Sequence, residues 1–346
     1  MKGVESTAAD ARESPEVASG AFVTRVTGTP GLLRARRPEP AISSRRMSVS
    51  TLREITIGVA DLDARRSQME MGCCLQTLSS GTLSAITASR LFDLPAAPRA
   101  TLLGRNDRPG TPRIRLVEAP DFPIVRGAEP FDPGALGIGF RTRGIASVAA
   151  RLQRADVRFA SSPVRLDEDF GPGRSHPVEG ARAESYGRSR DGDYIILTEV
   201  SGADAPESGG SQDCSAPFHA AFVVTNLDAV RHFMRDALDH HEAREGVWSG
   251  PPFDTLLGLP AGVSFRHSLM RRTETDAGAL LFVEFERRLK PPPAGLAYGR
   301  GVCRLRFDTD DLNGTLERVR GGGGSLVRGR AAVDDGVQQL GGLDGA

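Results

Sequence analysis

Apolar and polar positions repeat along the chain in an order of strand, helix and further strands. Leu52 to Val59 is apolar and β-branched, which predicts a strand, and Asp61 then suits the start of a helix from Ala64 to about Leu75. After an irregular stretch rich in Ser and Thr, strands are predicted at Ala100 to Gly104 and Arg113 to Glu118. The first unit therefore has the order βαβββ.

A second unit begins at Ala135 and repeats this order. Its helix, Ile145 to Ala155, is predicted from apolar residues at helical spacing, and Arg190 to Asp193 carries a hairpin turn signal. The predicted strands are Leu136 to Thr142, Val157 to Ala160, Pro163 to Leu166, Ala183 to Ser189 and Tyr194 to Val200. This unit also has the order βαβββ.

Two more units follow. The third has a predicted helix from about Leu227 to His240, and its predicted strands are Phe218 to Thr225, Val263 to Leu269 and Ala279 to Glu286. The fourth has a strand at Gly301 to Asp308, a helix through Arg320 and a short strand at Ser325 to Arg328. Only Val333 to Leu340 remains after that, so the fourth unit is short by about one strand.

The first and third units are related by an internal duplication. A shift of 165 positions carries Glu54 onto His219, and the same shift carries Leu94-Pro95-Ala96 onto Leu259-Pro260-Ala261. A shift of 166 carries Leu116-Val117-Glu118 onto Phe282-Val283-Glu284. The two copies therefore differ by one inserted residue over most of their length.

Composition suggests where the domains divide. Ser201 to Ser215 is rich in Gly, Ser and Asp, which is typical of a linker. We therefore expect one domain at residues 51–200, holding modules one and two, and another at 216–346, holding module three and a shortened module four. Residues 1–50 are polar and rich in Ala, Glu, Arg, Ser and Pro, and are expected to form a disordered extension.

Charge and cysteine content narrow the function classes. The 44 basic and 44 acidic residues give a net charge of +0, so no nucleic-acid partner is expected. No apolar run is long enough for a membrane span. The four cysteines form no CxxC pair and are expected to be reduced thiols in a cytoplasmic protein. The partner we expect is a small molecule, bound by a monomer or a homodimer.

The openings of the four units share one layout, and the second closing run is Asp191-Gly192-Asp193-Tyr-Ile-Ile-Leu-Thr-Glu199. The openings are Glu54-Ile-Thr-Ile-Gly-Val-Ala-Asp61-Leu62, Gly137-Ile-Gly-Phe-Arg-Thr-Arg-Gly144-Ile145, His219-Ala-Ala-Phe-Val-Val-Thr-Asn226-Leu227 and Arg304-Leu-Arg-Phe-Asp-Thr-Asp-Asp311-Leu312. This fourfold pattern resembles the vicinal oxygen chelate superfamily, which includes glyoxalase I, extradiol dioxygenases, methylmalonyl-CoA epimerase, and bleomycin- and fosfomycin-resistance proteins.

The resemblance implies an α+β fold in which four βαβββ modules form two tandem cup-shaped mixed β-sheets, with helices packed outside. In that superfamily a divalent metal such as Fe, Mn, Zn or Ni sits inside the cup. Its ligands come from the first residue of each opening strand and from a Glu on each closing strand. These donors leave coordination sites open for a substrate that chelates through adjacent oxygens.

Carried onto this chain, the resemblance retains few metal ligands. The opening positions are Glu54, Gly137, His219 and Arg304, and the closing positions are Arg115, Ile196 and Leu281, with the fourth absent or near Leu340. Only His219 and Glu54 are metal-ligating types, so the chain implies either a degenerate metal site or no metal. Three nearby carboxylates lie three positions past the closing positions and should point out of the cup: Glu118, Glu199 and Glu284.

Several residues have two interpretations. His219 is a metal ligand or general base, or an inward polar group inside the cup. Glu54 is a ligand, or it forms an ion pair with Arg115. Arg304 binds an anionic group of the substrate, or it is an exposed residue at a strand end. Trp248, the only Trp, lines a pocket or caps the core.

The remaining histidines carry weaker signals. His240 and His241, followed by Glu242, look like metal ligands by residue type. Adjacent residues on a helix point about a hundred degrees apart, so a solvated helix end is the favoured interpretation. His232 is expected at the surface or the edge of the core and His176 in an exposed loop, whereas His267 lies on a predicted strand with its facing undecided.

Two functions follow from the sequence. One is an enzyme of lyase, isomerase or dioxygenase type that acts on a small oxygenated metabolite through His219, with Glu54 or Arg304. The other is a metal-free protein that binds or sequesters a small molecule such as a drug.

Overall fold

A computed structural model describes residues 24–25, 49–92, 94–108, 110–124, 130–166, 178, 180–201, 206, 213–272, 277–286 and 300–326. The helices are α1 (Leu62–Cys73), α2 (Ala85–Phe92), α3 (Ile145–Arg154), α4 (Leu227–Leu238), α5 (Pro251–Leu257) and α6 (Leu312–Gly321). The strands are β1 (Thr24–Arg25), β2 (Glu54–Val59), β3 (Gln76–Thr82), β4 (Arg99–Gly104), β5 (Arg113–Glu118), β6 (Gly134–Thr142), β7 (Arg158–Phe159), β8 (Val164–Arg165), β9 (Ala181–Arg188), β10 (Tyr194–Val200), β11 (Cys214–Val223), β12 (His241–Ser249), β13 (Ser264–Arg271), β14 (Ala279–Phe285), β15 (Gly301–Arg306) and β16 (Ser325–Leu326). The fold is α+β, as predicted.

The strands form two mixed sheets and a small two-stranded ribbon. The small sheet has the order β15-β2-β5-β4-β3, and the large sheet has the order β12-β13-β14-β11-β6-β10-β9-β7 with β8 beside β9. In the three modules whose closing strands are described, the closing strand runs parallel to its opening strand: β5 with β2, β10 with β6 and β14 with β11. The ribbon joins β1 to β16.

The pairing of modules within the sheets differs from the pairing that the sequence predicted. Opening strand β2 pairs antiparallel with β15, and opening strand β6 pairs antiparallel with β11. The small sheet therefore unites modules one and four, and the large sheet unites modules two and three. The expected pairing of module one with two, and of three with four, is corrected. The division into domains at residues 201–215 remains a prediction.

The positions of the strands on either side of the linker fit this pairing. Thr142 at the end of β6 lies opposite Glu199 of β10 on one side and opposite Cys214 of β11 on the other. Glu199 and Cys214 are therefore about 10 Å apart at the usual strand spacing. Because the two strands flank β6, β11 pairs with the second edge of β6.

Helices and convex sheet faces share one core. Ile55 and Ile57 of the small sheet and Ile138 and Phe140 of the large sheet are buried in the same apolar cluster. Residues of α1, α3, α4 and α6 belong to that cluster as well. These four helices thus lie outside both cups, between the two sheets, and the concave faces point away from each other.

The duplicated helix starts have the same physical cause. Asp61, Asn226 and Asp311 each accept a hydrogen bond from a backbone N–H three residues later, at 2.9, 2.9 and 3.0 Å. Such caps satisfy a backbone donor that the helix itself leaves unpaired. The shared Asp/Asn-Leu in the openings therefore marks the beginning of α1, α4 and α6.

The turn before β10 ties module two to module one. The backbone N–H of Ala60 donates to Asp191 at 2.9 Å, and the guanidinium of Arg65 bonds Asp193, which also accepts a 2.6 Å bond from Ser189. Burial raises the pKa of Asp191, although the Ala60 N–H and Arg65 oppose this shift. These contacts fix the second module on the start of the first.

Helix α5 shows that the large sheet is curled. It contacts β12 at one edge of the sheet and also β8 and β9 toward the other edge. In a flat sheet β12 and β9 would be about 29 Å apart, whereas a seven-residue helix is about 10 Å long. The sheet therefore closes into a cup, with α5 across its mouth.

Most predicted strands and helices are observed, but five elements were missed: β1, which lies in the stretch expected to be disordered, and β3, α2, β12 and α5. Gln76–Thr82 is too polar to indicate a strand, and α2 lies in the stretch that was predicted to be irregular. Helix α4 ends at Leu238 rather than His240, because Asp239 adopts a left-handed conformation and the His240 N–H bonds Met234 O at 3.0 Å.

The chain ends are described only in part. The prediction of disorder for residues 1–50 lies largely outside the described residues, although Val49 is buried and pairs with Thr309. The stretch from Val333 to Leu340, and His176, also lie outside them. Cys73, Cys74, Cys214 and Cys303 are free thiols. In the portion of the chain that is described, no helix is long and apolar enough to cross a membrane.

Candidate functional site

Glu54 and His219, the two predicted metal ligands, do not come together. Ile55 and Ala220, their neighbours in sequence, are both buried in the core between the sheets. Because side chains alternate along a strand, Glu54 faces the concave side of the small sheet and His219 the concave side of the large sheet. The two side chains therefore point in opposite directions from a shared core.

On the small sheet, Glu54 is held by Arg115. Nε and Nη2 of Arg115 donate to Oε1 and Oε2 of Glu54 at 2.7 and 2.9 Å, and the residues are only 5% and 7% exposed. This two-point geometry is the strong form of an arginine–carboxylate pair. The ion-pair interpretation of Glu54 is confirmed.

Two further arginines lie on this concave face. Arg304 is opposite Thr56 and Arg306 is opposite Glu54, while Leu305 between them packs toward the core. Arg304 is 7% exposed, so the alternative of an exposed residue at a strand end is wrong. Its guanidinium carbon lies 5.7 Å from the centre of the Phe92 ring.

The arginines keep Glu54 ionised. Burial by itself raises the pKa of the Glu54 carboxyl, but the attraction and hydrogen bonds of Arg115, together with the charges of Arg306 and Arg304, lower it below its ordinary value of 4.5. Arg306 also lies 3.3 Å from Asp308. At neutral pH this face therefore holds three guanidinium groups around one buried carboxylate.

Part of the small sheet is covered by α2. Ala88, Phe92 and Leu94 form an apolar cluster with Ala100 of β4 and Val117 of β5, both on the concave face. The run Leu94-Pro95-Ala96 after α2 is the duplicate of Leu259-Pro260-Ala261 after α5. Each concave face thus has one covering helix at an equivalent place in the duplication.

Sequence reasoning missed Arg306 and Phe92. A signal for Arg306 existed, because it follows Arg304 at the two-residue period of a strand and so shares its face. Phe92 was hidden because α2 lies in a stretch that was predicted to be irregular chain.

On the large sheet, His219 lies over a glycine. A Cβ added to Gly139 would be 2.0 Å from Cε1 of the His219 ring. The ring is 2% exposed and meets Phe218 edge-on at 5.4 Å. The buried imidazole therefore occupies space above β6 that only a glycine leaves open.

Many other concave positions of this sheet are apolar, but Glu184 is a buried carboxylate on the same face and accepts a 3.0 Å hydrogen bond from Thr198. Ile196 and Leu281, two of the positions where the resemblance places metal ligands, belong to a buried cluster that includes Trp248 and Phe253. Trp248 is in the core of the cup rather than at its rim, and its ring centre is 4.5 Å from that of His267.

His219 and His267 share the concave face but do not form a pair. His219 is opposite Ala279 and His267 is opposite Val283, four residues further along β14. That offset separates them by about 13 Å along the strands. No two-histidine site exists between them.

These residues do not fit a divalent metal. The small sheet offers a carboxylate already bound by Arg115 and surrounded by positive charge, and the large sheet offers two imidazoles, His219 and His267, that are too far apart to share one ion. A protein metal site needs three or more N, O or S donors. Among the described residues, no group of three or more His, Cys, Asp or Glu is placed to hold a metal ion.

The nearby carboxylates do not supply the missing donors. Glu118 accepts two hydrogen bonds from Arg99 at 2.9 and 2.7 Å, and Glu199 accepts the Ile145 N–H at the start of α3 at 2.9 Å. Glu284 lies 3.4 Å from Arg266. All three alternate with concave-facing positions, so they point out of the cup as predicted.

The His240–His241 pair is no metal site either. His240 is buried, with Nδ1 2.8 Å from Leu238 O and its ring edge-on to Phe307, so the expectation that it is solvated is wrong. His241 is exposed at the start of β12. His232 is exposed on α4 and pairs with Asp236 at 2.8 Å. Of its two expected locations, the surface is therefore the one observed.

No protein-family model matches the sequence, and no curated protein matches it. Among solved structures, glyoxalase I from Zea mays matches with a TM-score of 0.53 at 14% identity, covering 86% of this chain and 82% of that chain. A point mutant of the same enzyme matches with a TM-score of 0.54 at 13% identity, covering 86% and 83%. At such identities the likeness concerns the fold alone. The chain therefore has the fold of glyoxalase I, in agreement with the resemblance seen in its sequence.

Proposed function

We propose that this protein binds a small organic anion on the concave face of the small sheet, without a metal. The observation that carries the proposal is the placement of Arg304 and Arg306 beside the Glu54–Arg115 pair. Arg115 and Arg304 stand where the resemblance places metal ligands. The fold keeps the position of a ligand site, and the side chains there favour the opposite charge.

Charge and shape both support an anionic ligand. Guanidinium groups repel a cation and bind carboxylates or phosphates through two parallel hydrogen bonds. Glu54 accepts both of its strong bonds from Arg115, so it holds that arginine in place at the floor of the site. Arg304 then contacts the anionic group of the ligand, and Phe92 provides an apolar wall beside it.

Calorimetry on protein stripped of metal with a chelator tests this function. The ligands are short-chain carboxylates and phosphate monoesters, each paired with its neutral amide or alcohol. We expect the anions to bind and the neutral partners to fail. Arg304→Met should weaken binding at least about tenfold, because a charge-assisted hydrogen bond is lost.

Arg99→Met is the matched control. It removes the same charge from the same sheet, but Arg99 is half-exposed and bonds Glu118 and Asp63 away from the concave face. Anion affinity should be unchanged in this variant. Equal losses in both variants, or binding that requires an added metal, would contradict the proposal.

An enzyme of lyase, isomerase or dioxygenase type, acting on a small oxygenated metabolite, is the second candidate. Its specific support is His219, kept on the concave face of the large sheet at a position where the resemblance places a ligand. Metal analysis of protein purified without chelator decides between the two. Stoichiometric Fe, Mn, Zn or Ni that is lost in His219→Ala would favour the enzyme.

A further inference from the structure

Helix α5 covers the cup of the large sheet between two glycines. Gly250 precedes it with φ 100° and Gly258 follows it with φ 63°, both in the left-handed half of conformational space. A Cβ added to Gly250 would meet nothing within 4 Å, and one added to Gly258 would meet only Ala160 at 3.8 Å. Neither glycine is therefore required by close packing, and each provides backbone freedom at one end of the cover.

Beneath α5 lies a cluster of stacked rings. Phe253 of α5 stacks on Trp248 of β12, with ring centres 4.2 Å apart and planes 17° apart. Phe265 meets Trp248 edge-on at 5.3 Å, and His267 lies at 4.5 Å from it. One ring of the cover thus fills a flat slot whose other walls belong to the sheet.

We propose that this slot is a second binding site, for a flat uncharged aromatic molecule that replaces Phe253 on Trp248 when α5 moves aside. Stacking between parallel rings does not depend on whether the second ring belongs to the chain or to a ligand. Apart from His267, the walls around Trp248 and Phe253 are apolar, including Leu269 and Leu281, so they favour an uncharged ligand. This site is independent of the anion site, which lies on the other sheet.

The chain occupies this slot itself, so the open form sets the affinity. A ligand that binds only when α5 is displaced has an apparent affinity reduced by the fraction of molecules that are open. Removing the Phe253 ring removes the internal competitor. Phe253→Ala should therefore bind the same aromatic molecule more tightly than the unmodified protein.

Fluorescence of Trp248, the only Trp, reads the slot directly. Titration with 1-nitronaphthalene, a neutral two-ring quencher, should give saturable quenching in the unmodified protein. Phe253→Ala should lower the dissociation constant at least about tenfold and raise the association rate. Phe253→Leu, which keeps apolar volume but no ring, should shift both in the same direction if the alanine variant fails to fold.

Two controls separate this proposal from simple filling of a cavity. Phe92→Ala changes the equivalent covering helix of the small sheet and should leave quenching unchanged. Phe265→Ala also opens space next to Trp248, but α5 stays closed, so the association rate should not rise. Absence of saturable quenching in the unmodified protein, or equal gains for Phe265→Ala and Phe253→Ala, would overturn the proposal.

Discussion

Glu54 shows how a position that ligates metal in one setting takes on another role. Its carboxylate receives two hydrogen bonds from Arg115 and lies in the field of Arg304 and Arg306. Both members of the pair are buried and have lost their hydration, so each charge is compensated by the charge of its partner. The ion pair was one of two interpretations of Glu54, and it rested on opposite charges at two positions where the resemblance places metal ligands.

Replacing Glu54 with Gln should therefore destabilise the fold by about 3 kcal/mol at neutral pH, since Arg115 is left buried without its counter-charge. The folded-state pKa of Glu54 lies below 4.5, so its stabilisation is present above pH 4.5 and is lost as pH falls through the lowered value. Urea unfolding of both proteins between about pH 3 and 7, a range chosen around that ordinary carboxyl value, measures the difference.

The difference in the free energy of unfolding between the two proteins should disappear at the acidic end of this range. A gap that is constant with pH would mean that the carboxylate charge does not cause the loss. Asp63→Asn, at an exposed carboxyl paired with Arg99, is the control and should change stability little.

At the scale of elements, strands β6 and β11 pack closely because the His219 ring of β11 lies over Gly139 of β6. The imidazole lies directly where a side chain on β6 would stand. Sequence patterns do not indicate this contact, because it depends on the antiparallel register of two strands that are 80 positions apart at these residues. Glycine at position 139 is therefore explained by packing against a neighbouring strand.

Gly139→Ala should cost about 1–3 kcal/mol, because the added methyl group overlaps the His219 ring. In the double variant Gly139→Ala/His219→Ala the clash is gone, so the two losses should not add. Thermal and urea unfolding of the four proteins in this cycle gives the coupling. Gly321→Ala, where a Cβ meets nothing within 4 Å, serves as the control. Additive losses would show that the ring and the glycine are independent.

At the scale of the whole molecule, the sheets cross the boundary that composition suggested. The segment 51–200 supplies strands to both sheets, and so does the segment that begins after the linker. The repeated pattern of strands and helices identified four modules and their order, but each opening strand has an edge with the same backbone donors and acceptors. Which strand edges pair is decided by how the modules pack around the core between the sheets.

Residues 49–200 and 213–346, produced separately, should therefore fail to unfold cooperatively, because each leaves an opening strand without its neighbour. Produced together, they should associate and recover a single transition. Size-exclusion chromatography and thermal circular dichroism measure both. The control is the full-length chain folded first and then cleaved once, after Pro206, and it should keep its single unfolding transition. Two separately folded, monomeric fragments would instead support domains at the expected boundary.

The sequence by itself determined the local elements and the fourfold plan, because apolar periods of two and 3.6 residues and Asp or Asn caps act over short distances. Together with the family resemblance, it also indicated that few of the expected ligand positions hold metal-ligating residues. The tertiary structure decided that Glu54 and His219 face opposite ways, that Arg306 and Phe92 join Arg304, and that His240 is buried. These outcomes rest on which strand edges meet and in what register, and backbone hydrogen bonds are chemically alike at every edge.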